Sequence, residues 1–141
     1  MIHKLKLYAT AMVSLALLDF VWIAFVMKSF YVDEMRTIGR INGDSFQPVL
    51  WAAVWVYLAL SIALIQFVLP KLSAGSSITL RFATGALLGF AIYSTYDFTN
   101  YSTLKDWTIP LAIFDVAWGT FLCGTVTVLL CFLRDRPQSS H

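Results

Sequence analysis

Three aspartates interrupt otherwise apolar stretches of this 141-residue chain: Asp19, Asp97 and Asp115. Asp19 and Asp115 each head the pattern D-x-x-W-x-x-F, with Trp22 and Phe25 after the first and Trp118 and Phe121 after the second. On a helix, positions i, i+3 and i+6 lie along one side, so each motif sets a carboxylate and an indole one turn apart. Asp97 belongs to a different pattern. Tyr93, Tyr96, Asp97 and Asn100 stand at i, i+3, i+4 and i+7, one continuous helical face. Carboxylates, phenols and an amide in this combination hold and exchange protons, or coordinate a hard cation through oxygen.

The surroundings make these acids costly. Each Asp inside a membrane span costs about 2.5–3.5 kcal/mol on insertion scales, so three cost on the order of 9 kcal/mol. None of the ten basic residues lies deep in a span, and Arg81, near a span end, is expected to snorkel outward. Three resolutions remain. The acids carry protons, share them with Tyr93, Tyr96 and Asn100, or bind a cation from outside. A metal here would have an all-oxygen site built from Asp19, Asp97 and Asp115 with Asn100 and the tyrosines, suited to Mg²⁺, Ca²⁺, Mn²⁺ or Na⁺. The competing reading is an inter-helix hydrogen-bond cluster that only specifies packing. The histidines are His3 and His141, at the ends of the chain, so neither haem nor His-ligated zinc is expected. No H-E-x-x-H, G-x-S-x-G or phosphate-binding glycine loop is present.

The elements that must position these residues follow from composition. The chain is 59% hydrophobic and 13% charged, against roughly 25% charged residues in a soluble domain. That excludes an ordinary soluble domain, a disordered tail and a nucleic-acid binder, and leaves one integral membrane domain over residues 1–141. Four stretches reach the length of about 20 residues that a bilayer core requires. They run over about 6–27, 48–69, 79–101 and 108–133. Lengths of this kind predict an all-α, four-helix transmembrane bundle rather than a barrel of short strands. Pro48 and Pro110 sit where a helix start tolerates proline, and Pro70 with the Ser73–Ser77 turn closes the second span. The start of the chain resembles a signal peptide, but the apolar run is too long, contains Asp19 and lacks a small-x-small cleavage site, so it is read as a retained span.

Lys4, Lys6, Lys71, Arg81, Arg134 and Arg136 fall on one side of such a bundle, and Lys28, Arg36, Arg40 and Lys105 on the other. The bias favours both chain ends inside. Asp19 and Asp115 then lie roughly 10–12 Å below the outer boundary at 1.5 Å rise per residue, and Asp97 shares the outer half. Gly85 and Gly89 continue the Asp97 face as a G-x-x-x-G packing stripe, and the short 102–107 loop makes spans three and four antiparallel neighbours. Trp51, Trp55 and Trp107 are expected in the outer aromatic belt. Trp22 and Trp118, with Tyr93 and Tyr96, either wall an acidic pocket or pack plainly against lipid. Cys123 and Cys131, eight residues apart on one helix, read as small apolar packing residues. In the 28–47 loop, Phe30, Tyr31, Met35 and Ile38 outline a short interfacial helix ended by Gly39 or by Asn42-Gly43. It either covers the acidic pocket or is a solvated connector.

At these residues the sequence resembles a family of small bacterial membrane proteins grouped as domain of unknown function 2177. The features that carry the resemblance are Asp19-x-x-Trp22, Tyr93-x-x-Tyr96-Asp97-x-Thr99-Asn100 with Leu104-x-Asp106-Trp107, and Asp115-x-x-Trp118-Gly119. The similarity extends over nearly the whole chain. It implies four spans and carries no assigned reaction.

The sequence therefore points to a multi-pass protein of the bacterial inner membrane with an outer-leaflet acidic site. The leading expectation is proton- or cation-coupled transport of a small substrate by a homo-oligomer, with membrane lipid as the other partner. The alternatives are an intramembrane enzyme modifying a lipid or isoprenoid, in which the carboxylates act as acid and base or hold a metal, and an assembly subunit of a membrane complex.

Overall fold

The computed structural model describes residues 2–136. His141 lies outside the described residues, as does the side chain of His3. Four long helical spans dominate: Lys4–Val26, Leu50–Lys71, Ile78–Thr103 and Ile109–Asp135, each long and apolar enough to cross a membrane. They match the four expected stretches to within a few residues at each end. Helix α1 (Ile2–Val21) runs into a π-helical turn over Trp22–Val26. A short helix, α2 (Lys28–Glu34), follows. Helix α3 (Leu50–Ala63) continues through a second π-helical turn, Leu64–Val68, and a 3₁₀ turn, Leu69–Lys71. Helices α4 (Ile78–Thr103) and α5 (Ile109–Asp135) complete the chain.

The start signals are local. Ser77 caps α4 by accepting the Leu80 N–H at 3.2 Å, and Thr108 caps α5 by accepting that of Leu111 at 3.3 Å. Each satisfies one of the orphan donors of a helix start. Pro110 sits within the first turn of α5, where its missing N–H costs nothing.

Helices α4 and α5 form the tightest pair, and glycine is the reason. A Cβ on Gly85 would collide with Thr127 and the Cys123 carbonyl, and one on Gly89 with the Gly119 carbonyl and Cys123. Gly119 in turn lies under the Tyr93 ring. The G-x-x-x-G stripe is thus the face on which α5 rests. Cys123 and Cys131 of α5 are buried free thiols. Helix α3 packs along α1, and its π-helical end reaches across to α4 and α5. The main core runs through Leu7, Ala11, Leu15, Leu64, Leu122 and Val126. A second cluster, Tyr31, Trp107, Leu111 and Ala112, closes the other end of the bundle beneath the segment that links the first two spans. We call that the loop end and the opposite one the terminal end.

Two expectations need correction. Arg81 does not snorkel. It is 5% exposed and turned inward, held by the carbonyls of Ser76 and Ala74 at 2.9 and 2.6 Å and paired with Asp135 at 2.7 Å. The backbone turn before α4 supplies acceptors that water would otherwise have to provide. The 28–47 loop is also more structured than one helix. The helix stops at Glu34, and Ile41–Asn42 pairs antiparallel with Ser45–Phe46 around Gly43, whose φ is +59°. Asn42-Gly43 therefore opens a hairpin turn instead of ending a helix, the geometry that a positive-φ glycine favours.

Candidate functional site: an acidic pocket at the loop end

The two D-x-x-W-x-x-F motifs meet face to face. The Trp22 and Trp118 rings stack with centroids 4.3 Å apart and planes 3° from parallel. Each indole then serves the aspartate of the other motif. Trp118 Nε1 donates to Asp19 Oδ1 at 2.8 Å. Trp22 Nε1 donates to the Tyr31 hydroxyl at 3.3 Å, and that hydroxyl donates to Asp115 Oδ1 at 2.7 Å. The first link is direct and the second runs through a tyrosine. Antiparallel α1 and α5 give the crossing its approximate two-fold character, and the break in the helical path at Met27, after the first span, lets α2 insert Tyr31.

The three aspartates stand in three different states. Asp19 is saturated: Tyr57 donates to Oδ2 at 2.8 Å while Trp118 holds Oδ1. Asp115 is half engaged, with Oδ1 held by Tyr31 and no donor to Oδ2 among the described residues. Asp97 is 0% exposed, and among the described residues neither of its oxygens has a hydrogen-bond partner. The Trp107 indole N–H faces Asp97 without completing a hydrogen bond and is itself unpartnered. Ser94 Oγ, nearby in sequence, is likewise buried and unpaired. Isolated buried polar atoms are rare because each forfeits hydration without replacement. Asp97 lies within electrostatic reach of Asp115, and Tyr93 within reach of Asp19 and Asp115.

A cavity of about 540 Å³ opens beside this network. Asp115 lines it, together with Tyr31, Tyr57, Tyr96 and Trp107. Its roof comes from the connecting segment, through Met35, Ser45, Phe46 and Pro48. The segment covers the acidic pocket, and two ties hold it: Tyr31 to Asp115, and Glu34 to the Thr108 hydroxyl at the start of α5. Burial, and then the adjacent Asp115 carboxylate, raise the Tyr31 phenol above its ordinary value, so it stays a donor at neutral pH.

The structure divides the residues singled out above. Asp115 and Tyr96 line the cavity; Asp19, Trp22 and Trp118 form the hydrogen-bonded layer beside it. Tyr93 packs on Gly119, and Asn100 is half-buried on α4, about one turn beyond Asp97. The three carboxylates do not converge on one point. Among the described residues no group of three His, Cys, Asp or Glu is placed to hold a metal ion. The physical reason is that the Trp and Tyr donors engage Asp19 and Asp115 separately, while Asp97 faces Trp107 from another helix.

Three contributors are not marked as site residues by the sequence. Tyr31 falls in a loop, Tyr57 in an apolar span, and Trp107 at a depth that suits the aromatic belt. Trp51 and Trp55 are indeed exposed on α3, whereas Trp107 is buried in the loop-end cluster. A phenol in mid-span is the one available signal for Tyr57, since a hydroxyl in lipid needs a partner.

Four apolar spans enclosing a hydrogen-bonded acidic network define a multi-pass helical membrane protein. The chain belongs to the predicted membrane protein family DUF2177, whose model matches residues 4–132. No curated protein and no solved structure matches it.

Proposed function

We propose that this protein binds a small substrate in the loop-end cavity and couples its movement across the membrane to a proton. The observation that carries the reading is Asp97: fully buried in a span, with no cationic partner and neither oxygen hydrogen-bonded among the described residues. A bare carboxylate in that position is too costly to persist, so Asp97 holds a proton. Asp115 stands within its electrostatic reach and faces the cavity. Substrate arriving at Asp115 changes the field at Asp97, and occupancy of the two sites is linked. The other charged and titratable groups around them are Asp19, Tyr31, Tyr57, Tyr93 and Tyr96, with Lys28 in the cavity wall. A chain of four spans needs a second copy to enclose a complete path, so the working unit is a homo-oligomer. In a bacterial inner membrane the bias of basic residues orients the cavity outward.

Infrared difference spectroscopy on a pH step tests the proton directly. The protein in lipid nanodiscs should give the carbonyl stretch of a protonated carboxylic acid, and Asp97→Asn should remove it. Proteoliposomes loaded with a pH-sensitive dye test the coupling. An unchanged carbonyl band in Asp97→Asn would sink the proposal.

A further inference from the structure

The cavity wall has a chemical bias. It carries six aromatic rings, Phe20, Tyr31, Phe46, Tyr57, Tyr96 and Trp107, and one carboxylate, Asp115. Ring faces are electron-rich and attract cations, most strongly away from water. Asp115 Oδ1 is occupied by the Tyr31 hydroxyl, while Oδ2 has no donor among the described residues. The wall thus offers a carboxylate with one unpaired oxygen among aromatic rings, within a volume that suits a small drug-sized molecule.

The basic residue in the wall is Lys28. It also borders a polar depression with Ser29, Asp33, Arg36 and Asp44. Arg36 there already pairs with Asp33 at 3.2 Å and Asp44 at 3.9 Å. Lys28 therefore marks the polar mouth, whereas Asp115 lies within the span, within electrostatic reach of Asp19 and Asp97. An anion would meet the Asp115 carboxylate, with Asp19 within its electrostatic reach, beyond one lysine. A neutral apolar molecule would fill the space and leave Oδ2 unpaired, a desolvation cost with no return.

Resting on the reading of this cavity as a binding site, we infer that its ligand is an organic cation. The class is an amine or quaternary ammonium on an apolar body, with the positive centre at Asp115 Oδ2 and the body between the rings.

The test is saturation binding of radiolabelled tetraphenylphosphonium to the full chain in nanodiscs, with empty nanodiscs subtracted. Competitors are phenethylamine, its neutral analogue 2-phenylethanol and the anion 3-phenylpropanoate. The amine should displace the probe, and the alcohol and the anion should not. Asp115→Asn should weaken binding by about tenfold or more, because a desolvated charge partner is lost. Lys28→Gln should strengthen it about two- to fivefold by removing repulsion at the mouth. Ala53→Phe, which fills the cavity from α3 while keeping every carboxylate, should block binding and so decides the matter even if Asp115→Asn fails to fold. Displacement by 3-phenylpropanoate, or binding left intact in Ala53→Phe, would overturn the inference. The two proposals fail separately. A carbonyl band that depends on Asp97 with no cation bound removes this one alone, and cation binding without that band removes only the proton coupling.

Discussion

The two ends of the bundle handle buried charge in opposite ways. At the terminal end the inward-turned charges are paired with one another. Arg81 and Arg134 both engage Asp135, at 2.7 and 2.9 Å. The Arg81–Asp135 contact is an ion pair by distance whose angles do not complete a hydrogen bond, so the backbone carbonyls around Arg81 carry its directional bonds. Arg134 also donates to the Leu69 carbonyl at 2.8 Å, and the Arg81 guanidinium lies 5.7 Å from the Phe132 ring centre. Three spans and the turn before α4 are joined there. The extra positive charge falls at the C-terminus of α5, where the helix dipole favours it. At the loop end Asp19 and Asp115 have only neutral donors, Trp118, Tyr57, and Tyr31 backed by Trp22, and Asp97 has none among the described residues. Paired ions resist change, because removing either one strands the other. Acids held by neutral donors can gain or lose a proton or a ligand without breaking a salt bridge. The first arrangement fixes the bundle, and the second leaves it a variable charge.

This contrast breaks most readily at the terminal end. Arg81→Met should cost about 3 kcal/mol, because it strands Asp135 against one remaining arginine and frees three backbone carbonyls, those of Ser73, Ala74 and Ser76. Unfolding in mixed micelles titrated with dodecyl sulfate measures it, and a loss below about 1 kcal/mol would mean that the terminal end is not the fixed one. A smaller effect is expected from Trp118→Phe. It keeps a ring against Trp22 but removes the donor to Asp19 Oδ1, for about 1 kcal/mol. A cost equal to that of Arg81→Met would place the acidic network among the structural elements. The least effect on stability belongs to Asp97→Asn, which should stay within about 0.5 kcal/mol of the native protein or exceed it, since Asp97 has no hydrogen bond to lose. Its consequence should appear instead in the infrared and proton-flux measurements. If Asp97→Asn unfolds the bundle, Asp97 is a packing residue and the contrast between the ends disappears.

The helices and their depth are legible in the sequence because both depend on local properties. Span lengths follow from apolar runs, and span starts from Pro48 and Pro110. Gly85 and Gly89 are legible as a packing stripe because small residues at that spacing admit a neighbouring backbone. The acidic trio stands out for a similar reason, since charge in an apolar run is visible residue by residue. Arg81 departs from expectation because one position in a sequence does not reveal that the preceding turn folds back to present Ser76 and Ala74 carbonyls.

By itself the sequence determined that the protein is a four-span helical membrane protein, that Asp19, Asp97 and Asp115 lie within its spans, and that each D-x-x-W pair shares one side of its helix. Period and hydropathy suffice for that. Only the tertiary structure decided that the tryptophan of each motif serves the other's aspartate, that Tyr31 and Tyr57 complete the network, and that Asp19 is saturated, Asp115 half engaged and Asp97 alone. Hydrogen bonds across helices depend on how the helices rotate and cross, and on a loop folding back over them. Those are relations between distant segments, and no local pattern encodes them.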